Sequence, residues 1–497
     1  NQMLFAPVFM LLGWAMIILS GIMLLPALFA LAPPEGNLLY SFCMPAAITL
    51  FLGGGLVLAM RSGMNSLGRR ETFLAATLIW TVVPAFAAIP FYVSGTISLP
   101  LDAYFEALSG FTTNGATTIT DLDNLPRGIL FWRSILQWSG GFALIVFLSI
   151  LATTFSLPVN NPLARAIAKS RRRRVSRRGA AGILSLFQVY VVLTLLCIIA
   201  LWAVGMSAFD SLCYAFSTVS TGGFTTSNIA GTAFANRAIE VVLMIFMVLG
   251  AVNFSLHWSF FNGDRKSYFR DPEYRYLLLA IAIGSVLLFW LMMTETDMGA
   301  AQTFRYAIFN AVSAITTTGY NLPLVSSSGG YYWPIGALLL VLVMITLGGS
   351  TGSTAGGIKL MRFSLLMKLS NTEVKRLSFP SSVFPLTYDG VRVLPEQILS
   401  AWSFFVLYCF AIALVTLLLA WNGLDFQSSL SLAVTNLANA GSAAQQLITE
   451  VQDGNRNFID YHQLSSASKW ILSIAMLAGR LEFFALLSLL NPALWRR

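Results

Sequence analysis

The sequence predicts an all-α membrane protein. It should hold four helix–pore loop–helix repeats around a pseudo-fourfold axis, preceded by two extra N-terminal transmembrane helices. Three observations predict this. Of 497 residues, 57% are hydrophobic and only 10% charged, whereas soluble chains carry about 25% charged residues. Apolar runs of about 20 residues, enough to cross a bilayer, recur along the chain. Between them, one short motif of small and hydroxylated residues ending in glycine returns four times.

The spans come in order. Phe5 to Leu31 and Phe42 to Met60 form the first pair. The first run lacks a basic n-region and a small-residue cleavage site, so it reads as a span and not as a signal peptide. Then follow Phe73 to Val93, Phe131 to Phe155, Ile183 to Val204, Ile239 to Phe261, Tyr276 to Met293, Trp402 to Leu419 and Trp470 to Leu490. A further span, from Trp333 towards Leu369, is interrupted.

In this arrangement Lys and Arg crowd one side. Arg61, Arg69, Arg70, the stretch from Arg165 to Arg178, Arg265 to Arg275, Lys359 to Arg376, Arg392, Arg496 and Arg497 share it. Arg127, Arg133, Arg237, Arg305, Arg456 and Lys469 fall on the other. The basic side is cytoplasmic by the positive-inside rule, which puts both termini inside. The four cysteines stand singly in apolar contexts, which gives neither a disulfide framework nor a metal site. His257 and His462 are the only histidines and lie far apart, which excludes a histidine-based catalytic or metal cluster within one chain.

The recurring motif reads LSGFTTNGAT at 108–117, FSTVSTGGFT at 216–225, VSAITTTGYN at 312–321 and VTNLANAGSA at 434–443. In each, a Ser or Thr lies six residues before a glycine: Ser109 and Gly115, Ser217 and Gly223, Ser313 and Gly319, Thr435 and Gly441. Self-similarity of this kind marks copies of one structural unit. Each copy follows one span and precedes another on the outer side, so the unit is helix, re-entrant loop, helix. A short descending helix should open each loop, with Asp102, Asp210 and Ser428 at a common offset suited to an N-cap. Tyr306 holds that offset in the third copy and breaks the pattern.

Non-helical backbone at membrane depth is tolerated only when buried in protein or lining a watery cavity. Four copies would aim four sets of carbonyls at one axis, which can replace the hydration shell of a monovalent cation. The candidate ion-binding residues are Thr112, Thr113, Asn114 and Gly115; Ser220, Thr221, Gly222 and Gly223; Thr316, Thr317, Thr318 and Gly319; and Ala438, Asn439, Ala440 and Gly441. No Lys or Arg interrupts any of the four windows. An ordinary turn-rich outer loop would account for one copy but not for four in register.

These residues resemble the Trk/Ktr/HKT superfamily of potassium transporters, in its bacterial TrkH-like branch. The stretches that carry the resemblance are TTNGA (112–116), STGGF (220–224), TTTGY (316–320) and ANAGS (438–442). QWSGG (137–141), VNFSLH (252–257), DPEYR (271–275), GGSTGSTAGGIKLMR (348–362) and GRLEFF (479–484) support it. The resemblance covers nearly the whole chain, with two helices ahead of the first repeat that Ktr-type subunits lack. It departs at Ser442, where this branch usually carries proline. It implies K⁺ uptake through a central pore of the bacterial inner membrane. It also implies a homodimer and a cytosolic nucleotide-binding regulator of the TrkA type, with no cofactor in this chain. Glycine at all four filter positions, Gly115 included, favours K⁺ over Na⁺ within the family.

The implied domain layout is two extra helices at 1–72 and pore repeat 1 at 73–160. The basic loop and repeat 2 occupy 161–262, repeat 3 occupies 263–380, and repeat 4 occupies 381–497. Within repeat 3, MITLGGSTGSTAGGIK carries Gly348, Gly349, Gly352, Gly356 and Gly357. Glycine costs about 1 kcal/mol against alanine in a helix, so this cluster should unwind the span. It fails as a phosphate-binding loop, because Ile358 separates Gly357 from Lys359, no hydroxyl follows that lysine and no strand precedes it. Two roles stand: close helix packing by small residues, or, as the resemblance implies, a flexible gate under the filter.

Arg480 lies inside an apolar run and should face the pore or a partner, since lipid exposure would cost roughly 3 kcal/mol or more. For a carboxylate partner, Glu482 two residues on points elsewhere on a helix, which leaves Glu106 or Asp210 as candidates. The run KSRRRRVSRR (169–178) suits anionic lipid headgroups or an acidic face of the regulator; in a short loop between spans it does not point to nucleic acid. A membrane-embedded enzyme is disfavoured because Ser and Thr abound without a histidine or paired acids to activate them. A secondary transporter is disfavoured because four like repeats suit a fourfold pore better than inverted repeats do. A Na⁺ or other monovalent cation transporter of the same fold stays open.

Overall fold

The structure is a computed structural model. It describes residues 5–29, 38–61, 68–155, 175–228, 236–296, 298–322, 334–379, 386–388, 391–444, 450–452, 455–457 and 460–481. Most of the basic run at 169–178, Glu482, and the Arg496–Arg497 end lie outside these residues. Among the described residues, seven helices are long and apolar enough to cross a membrane, and a bent pair makes an eighth. The molecule is a mostly helical, multi-span membrane protein.

α1 (Phe5–Ala27) and α2 (Leu38–Ala59) cross where Gly13 meets Gly53. A Cβ on Gly13 would lie 2.8 Å from the Gly53 carbonyl oxygen, so only glycine allows that approach. Small residues of this kind let helices pack in lipid, where no hydrophobic force drives them together. α3 (Arg69–Ala87), the short α4 (Ile89–Val93), α5 (Pro100–Phe111) and α6 (Arg127–Phe155) share an apolar core with this pair. Trp132 is anchored in it by a 3.1 Å bond from its indole N–H to the Ala87 carbonyl.

A second core joins α7 (Val175–Ala203), α8 (Ala208–Val219), α9 (Arg237–Ala251) and α10 (Phe254–Phe261). After the short α11 (Ser267–Arg270), that core continues through α12 (Pro272–Glu295), α13 (Ala300–Ile315) and α14 (Ile335–Leu347). α15 (Leu360–Ser378) and a small hairpin, β1 (Thr387–Tyr388) paired antiparallel with β2 (Val391–Arg392), follow. α16 (Pro395–Trp421), α17 (Phe426–Leu437) and α18 (Ser466–Arg480) follow and pack around a third core. Between α17 and α18 lies a second hairpin, β3 (Glu450–Gln452) with β4 (Asn455–Asn457). Outward-facing Phe51, Trp202, Trp290 and Phe410 are exposed apolar groups suited to lipid.

Two expectations need correction. The run Ile239 to Phe261 is not one straight span. α9 and α10 meet at 100°, because Asn253 caps α10 by accepting from Ser255 N at 2.9 Å and Phe254 N turns away to the Gly352 carbonyl. Nor do Asp102, Asp210 and Ser428 cap their helices. The caps lie three residues earlier, at Leu99, Ser207 and Asp425. Ser207 and Asp425 accept the N–H of Asp210 and Ser428 respectively, so the common offset marks the third helical position. Asp102 instead pairs with Lys469 at 2.6 Å, and both are buried. α13 starts after Gly299, well before Tyr306, which explains why the third copy breaks the pattern.

Candidate functional site: four loop ends over a glycine-rich crossing

α5, α8, α13 and α17 end alike. The residue after each, Thr112, Ser220, Thr316 or Ala438, is right-handed with ψ of −2°, −2°, −4° and −2°. The next, Thr113, Thr221, Thr317 or Asn439, is left-handed, with φ of 55°, 52°, 54° and 55°. The N–H of Asn114, Gly222, Thr318 or Ala440 then returns to the carbonyl of Ser109, Ser217, Ser313 or Thr435, at 2.8, 2.8, 3.0 and 2.7 Å. This is a Schellman closure. It gives the Ser or Thr six residues before each glycine a definite place, in the last turn of the helix. A left-handed threonine costs about 1–2 kcal/mol. Strain of that size persists where the surroundings over-determine it, which is common at functional sites.

Gly115, Gly223 and Gly319 supply a second left-handed residue, at φ 80°, 80° and 81°. Gly441 departs from them, because it opens a 3-10 turn, Gly441–Ala443. Alternating hands send N–H groups to one side and leave carbonyls on the other. The first two N–H groups of each loop are already used at the helix end.

The four loops close into a ring. A Cβ on Gly115 would strike the Gly222 carbonyl, and one on Gly223 the Thr318 carbonyl. On Gly319 it would meet Ser442 Oγ, with Ala443 N at 3.1 Å; on Gly441 it would meet the Asn114 side chain. Ser442 N donates to Asn114 O at 3.3 Å, and Gly441 N to Asn114 Oδ1 at 3.2 Å, which joins the fourth loop to the first.

Buried polar groups brace the ring from behind. Gln137 donates to Gly222 O at 2.8 Å and accepts from Phe224 N. Asn114 donates to Asn436 Oδ1, and Tyr461 donates to Gly441 O, both at 2.8 Å. Burial pushes the Tyr461 phenol well above its ordinary pKa, which keeps it a donor. Glu106 accepts from Arg133 at 2.8 Å and from Thr118 N at 2.8 Å. On the C-terminal side of the glycines lies a cavity of about 40 Å³, lined by Gly115, Gly223, Gly319, Ser442, Arg133 and Tyr320. Arg133 reaches it already neutralised by Glu106.

The interrupted span passes against the other side. α14 ends at Gly348 (φ 71°), and α15 begins after Lys359 (φ 78°), with Gly352 and Gly357 also left-handed between them. The crossing touches the second, third and fourth loops directly and the first through Arg480. Thr354 Oγ1 donates to Val219 O and Gly250 O at 3.2 and 3.0 Å, and accepts from Thr221 Oγ1 at 3.2 Å. Gly356 N donates to Thr317 Oγ1 at 2.7 Å, and a Cβ on Gly356 would strike the Ala438 carbonyl. Arg480 donates to Thr354 O at 2.9 Å and to Thr113 Oγ1, so it straps the crossing to the first loop. Gly349 packs under Ala251, and Glu273 holds the crossing from below by accepting from Thr351 N at 2.6 Å.

The model of the TrkH family, described as a cation transport protein, matches residues 40–492. The chain belongs to the TrkH family. It is 35% identical to the Trk system potassium uptake protein TrkH of Salmonella typhimurium, over 98% of each chain. It is 34% identical to the protein of the same name in Escherichia coli K12, again over 98% of each. The crystal structure of the potassium transporter TrkH from Vibrio parahaemolyticus superimposes with a TM-score of 0.86 at 31% identity, covering 99% of this chain and all of that one. The family is one of transporters, not enzymes.

Within this TrkH-family chain, the candidate ion-binding residues come together at one locus and the glycine cluster lies against them. Among the described residues, no group of three or more His, Cys, Asp or Glu converges as a metal site. The oxygens on offer at the ring are carbonyls and hydroxyls. Glu106 and Asp210 are not partners of Arg480: Glu106 holds Arg133, and Asp210 bonds Ser207 and Thr226. Glu482 is outside the described residues. Sequence reasoning missed Gln137, Thr354, Tyr461 and the Glu106–Arg133 pair. Gln137 lay in the quoted QWSGG stretch, and Thr354 in the glycine cluster. Nothing in the order of residues pairs Glu106 with Arg133 or brings Tyr461 to Gly441.

Proposed function

We propose that this chain takes up K⁺ across the bacterial inner membrane, as the translocating subunit of a Trk-type system. The observation that carries the reading is the closed ring of four like loop ends, each strained at a left-handed residue and free of unpaired charge. Such carbonyls can replace a cation's hydration shell, and several weak sites in a row allow it to leave again. On this reading the four loops are pore loops of four repeats around a pseudo-fourfold axis. Repeat 1 is 73–160, repeat 2 with its basic loop 161–262, repeat 3 263–380 and repeat 4 381–497, after two extra helices at 1–72. Thr112–Gly115, Ser220–Gly223, Thr316–Gly319 and Ala438–Gly441 form the filter. Gly348, Gly349, Gly352, Gly356 and Gly357 let the crossing act as a gate, since hinge positions absorb backbone changes. Arg480 couples the two.

The relatives named for potassium uptake support K⁺ as the ion. The charge asymmetry supports cytoplasmic termini. A homodimer with a cytosolic nucleotide-binding regulator of the TrkA type completes this reading, as the family resemblance implies. The test is growth. Expression in a bacterium lacking its own K⁺ uptake systems should restore growth on low K⁺. Absence of rescue by protein present in the membrane overturns the reading, and rescue of Na⁺ uptake alone reassigns the ion.

A further inference from the structure

The fourth quadrant is built differently from the other three. Gly441 is right-handed where Gly115, Gly223 and Gly319 are left-handed. Its carbonyl accepts from the Tyr461 hydroxyl at 2.8 Å. Into the place so left comes the side chain of the next residue. Ser442 Oγ lies 2.9 Å from where a Cβ on Gly115 would be, and nearer still to the corresponding points on Gly223 and Gly319. One oxygen therefore faces three glycines from three different loops, which places it at the centre they surround.

That hydroxyl is weakly held. Its one hydrogen bond among the described residues is a long one, 3.3 Å to the Thr318 carbonyl. A hydroxyl has two lone pairs besides its proton, so Ser442 Oγ can accept a cation while its O–H turns away. The backbone on either side is fixed, by Ser442 N on Asn114 O and by the 3-10 turn that begins at Gly441. Only χ1 needs to change for the oxygen to step away from the axis or back to it.

We propose that Ser442 is a specificity-determining residue of the ion path, its hydroxyl serving as the fourth quadrant's movable ligand at the level of the three left-handed glycines. This rests on the uptake reading above. The Gly222 carbonyl of the second loop is braced by Gln137, and the Asn114 carbonyl of the first by Ser442 N. A side-chain oxygen that shifts with χ1 adjusts its distance to a smaller cation where braced carbonyls cannot. Ser442 thus eases passage of Na⁺ more than of K⁺. Where a rigid apolar residue stood instead, Na⁺ would lose a ligand and K⁺ would lose less.

Two variants test this in proteoliposomes holding the full chain. In S442C, a positively charged methanethiosulfonate reagent added from outside should abolish K⁺ flux, and K⁺ in excess should slow the block compared with N-methylglucamine. Wild type is the control, because its four cysteines lie elsewhere. In S442A, Na⁺ flux should fall relative to K⁺ flux by up to about fivefold, the ~1 kcal/mol of one neutral polar contact less what K⁺ itself loses, and S442T should restore the wild-type ratio. An S442C flux indifferent to the reagent, or an S442A ratio equal to wild type, overturns the proposal while wild-type K⁺ flux leaves the uptake reading standing. A wild-type protein that carries no K⁺ overturns both.

Discussion

Thr354→Val tests whether the glycine-rich crossing closes the ion path. Valine keeps the shape and removes the hydroxyl. In the structure that hydroxyl donates to the Val219 and Gly250 carbonyls and accepts from Thr221 Oγ1, at 3.2, 3.0 and 3.2 Å. A net neutral hydrogen bond contributes about 1 kcal/mol. Gly250 O keeps a partner in Thr354 N, so the loss is about 2 kcal/mol and not the full three bonds. If these bonds belong to the closed state alone, the closed-to-open ratio falls roughly 30-fold. The assay is basal K⁺ flux into proteoliposomes of purified protein without a regulatory subunit. Flux should rise by an amount approaching that factor, saturating once the open state is the major one, with K⁺ over Na⁺ preference kept. A folded T354V protein with wild-type or lower basal flux refutes the gate, and the crossing is then packing alone.

Three further outcomes follow from the same contacts. Arg480→Ala cuts the strap between Thr354 O and Thr113 Oγ1 and should raise basal flux or alter its rectification with assembly intact; size-exclusion chromatography beside the flux assay checks both. Gly319→Ser places a Cβ at φ 81° against Ser442 Oγ and Ala443 N. K⁺ over Na⁺ preference, measured by ion competition, should fall further than surface expression does. Lys469→Met leaves the buried Asp102 carboxylate with only His462 Nδ1, at 3.9 Å, as a basic neighbour, and should cost about 3 kcal/mol, the low end for a broken buried pair. Thermal unfolding in detergent should come at lower temperature, and Asp102→Asn in the same chain should recover part of the loss.

The sequence shows the membrane class, most span positions and the four-fold recurrence because each depends on local pattern. A run of apolar residues or a glycine offset is visible without knowing what it meets. The interrupted span was legible for the same reason, as glycines in one window weaken a helix whatever lies nearby. Long-range pairings were not legible. Arg480 looked for a carboxylate and instead bonds a hydroxyl and a carbonyl of two loops far away in the chain. The 100° bend at Val252–Asn253 was hidden in a continuous apolar run, since its cause is the Gly352 carbonyl of another segment. The backbone freedom was also placed at one residue too few. Glycine announces it, but Thr113, Thr221 and Thr317 adopt left-handed conformations that their side chains disfavour. Only Asn439, a residue tolerant of that region, gave a hint.

The central claim is that the ring of loops passes K⁺ in preference to Na⁺. It is tested most directly by ion flux in proteoliposomes of the purified chain, with K⁺ and Na⁺ gradients of equal size and Gly115→Ser, Gly223→Ser and Gly319→Ser measured alongside. The account predicts larger K⁺ than Na⁺ flux in wild type and a smaller ratio in each of the three variants. Equal fluxes in wild type, or three variants with the wild-type ratio, would contradict it.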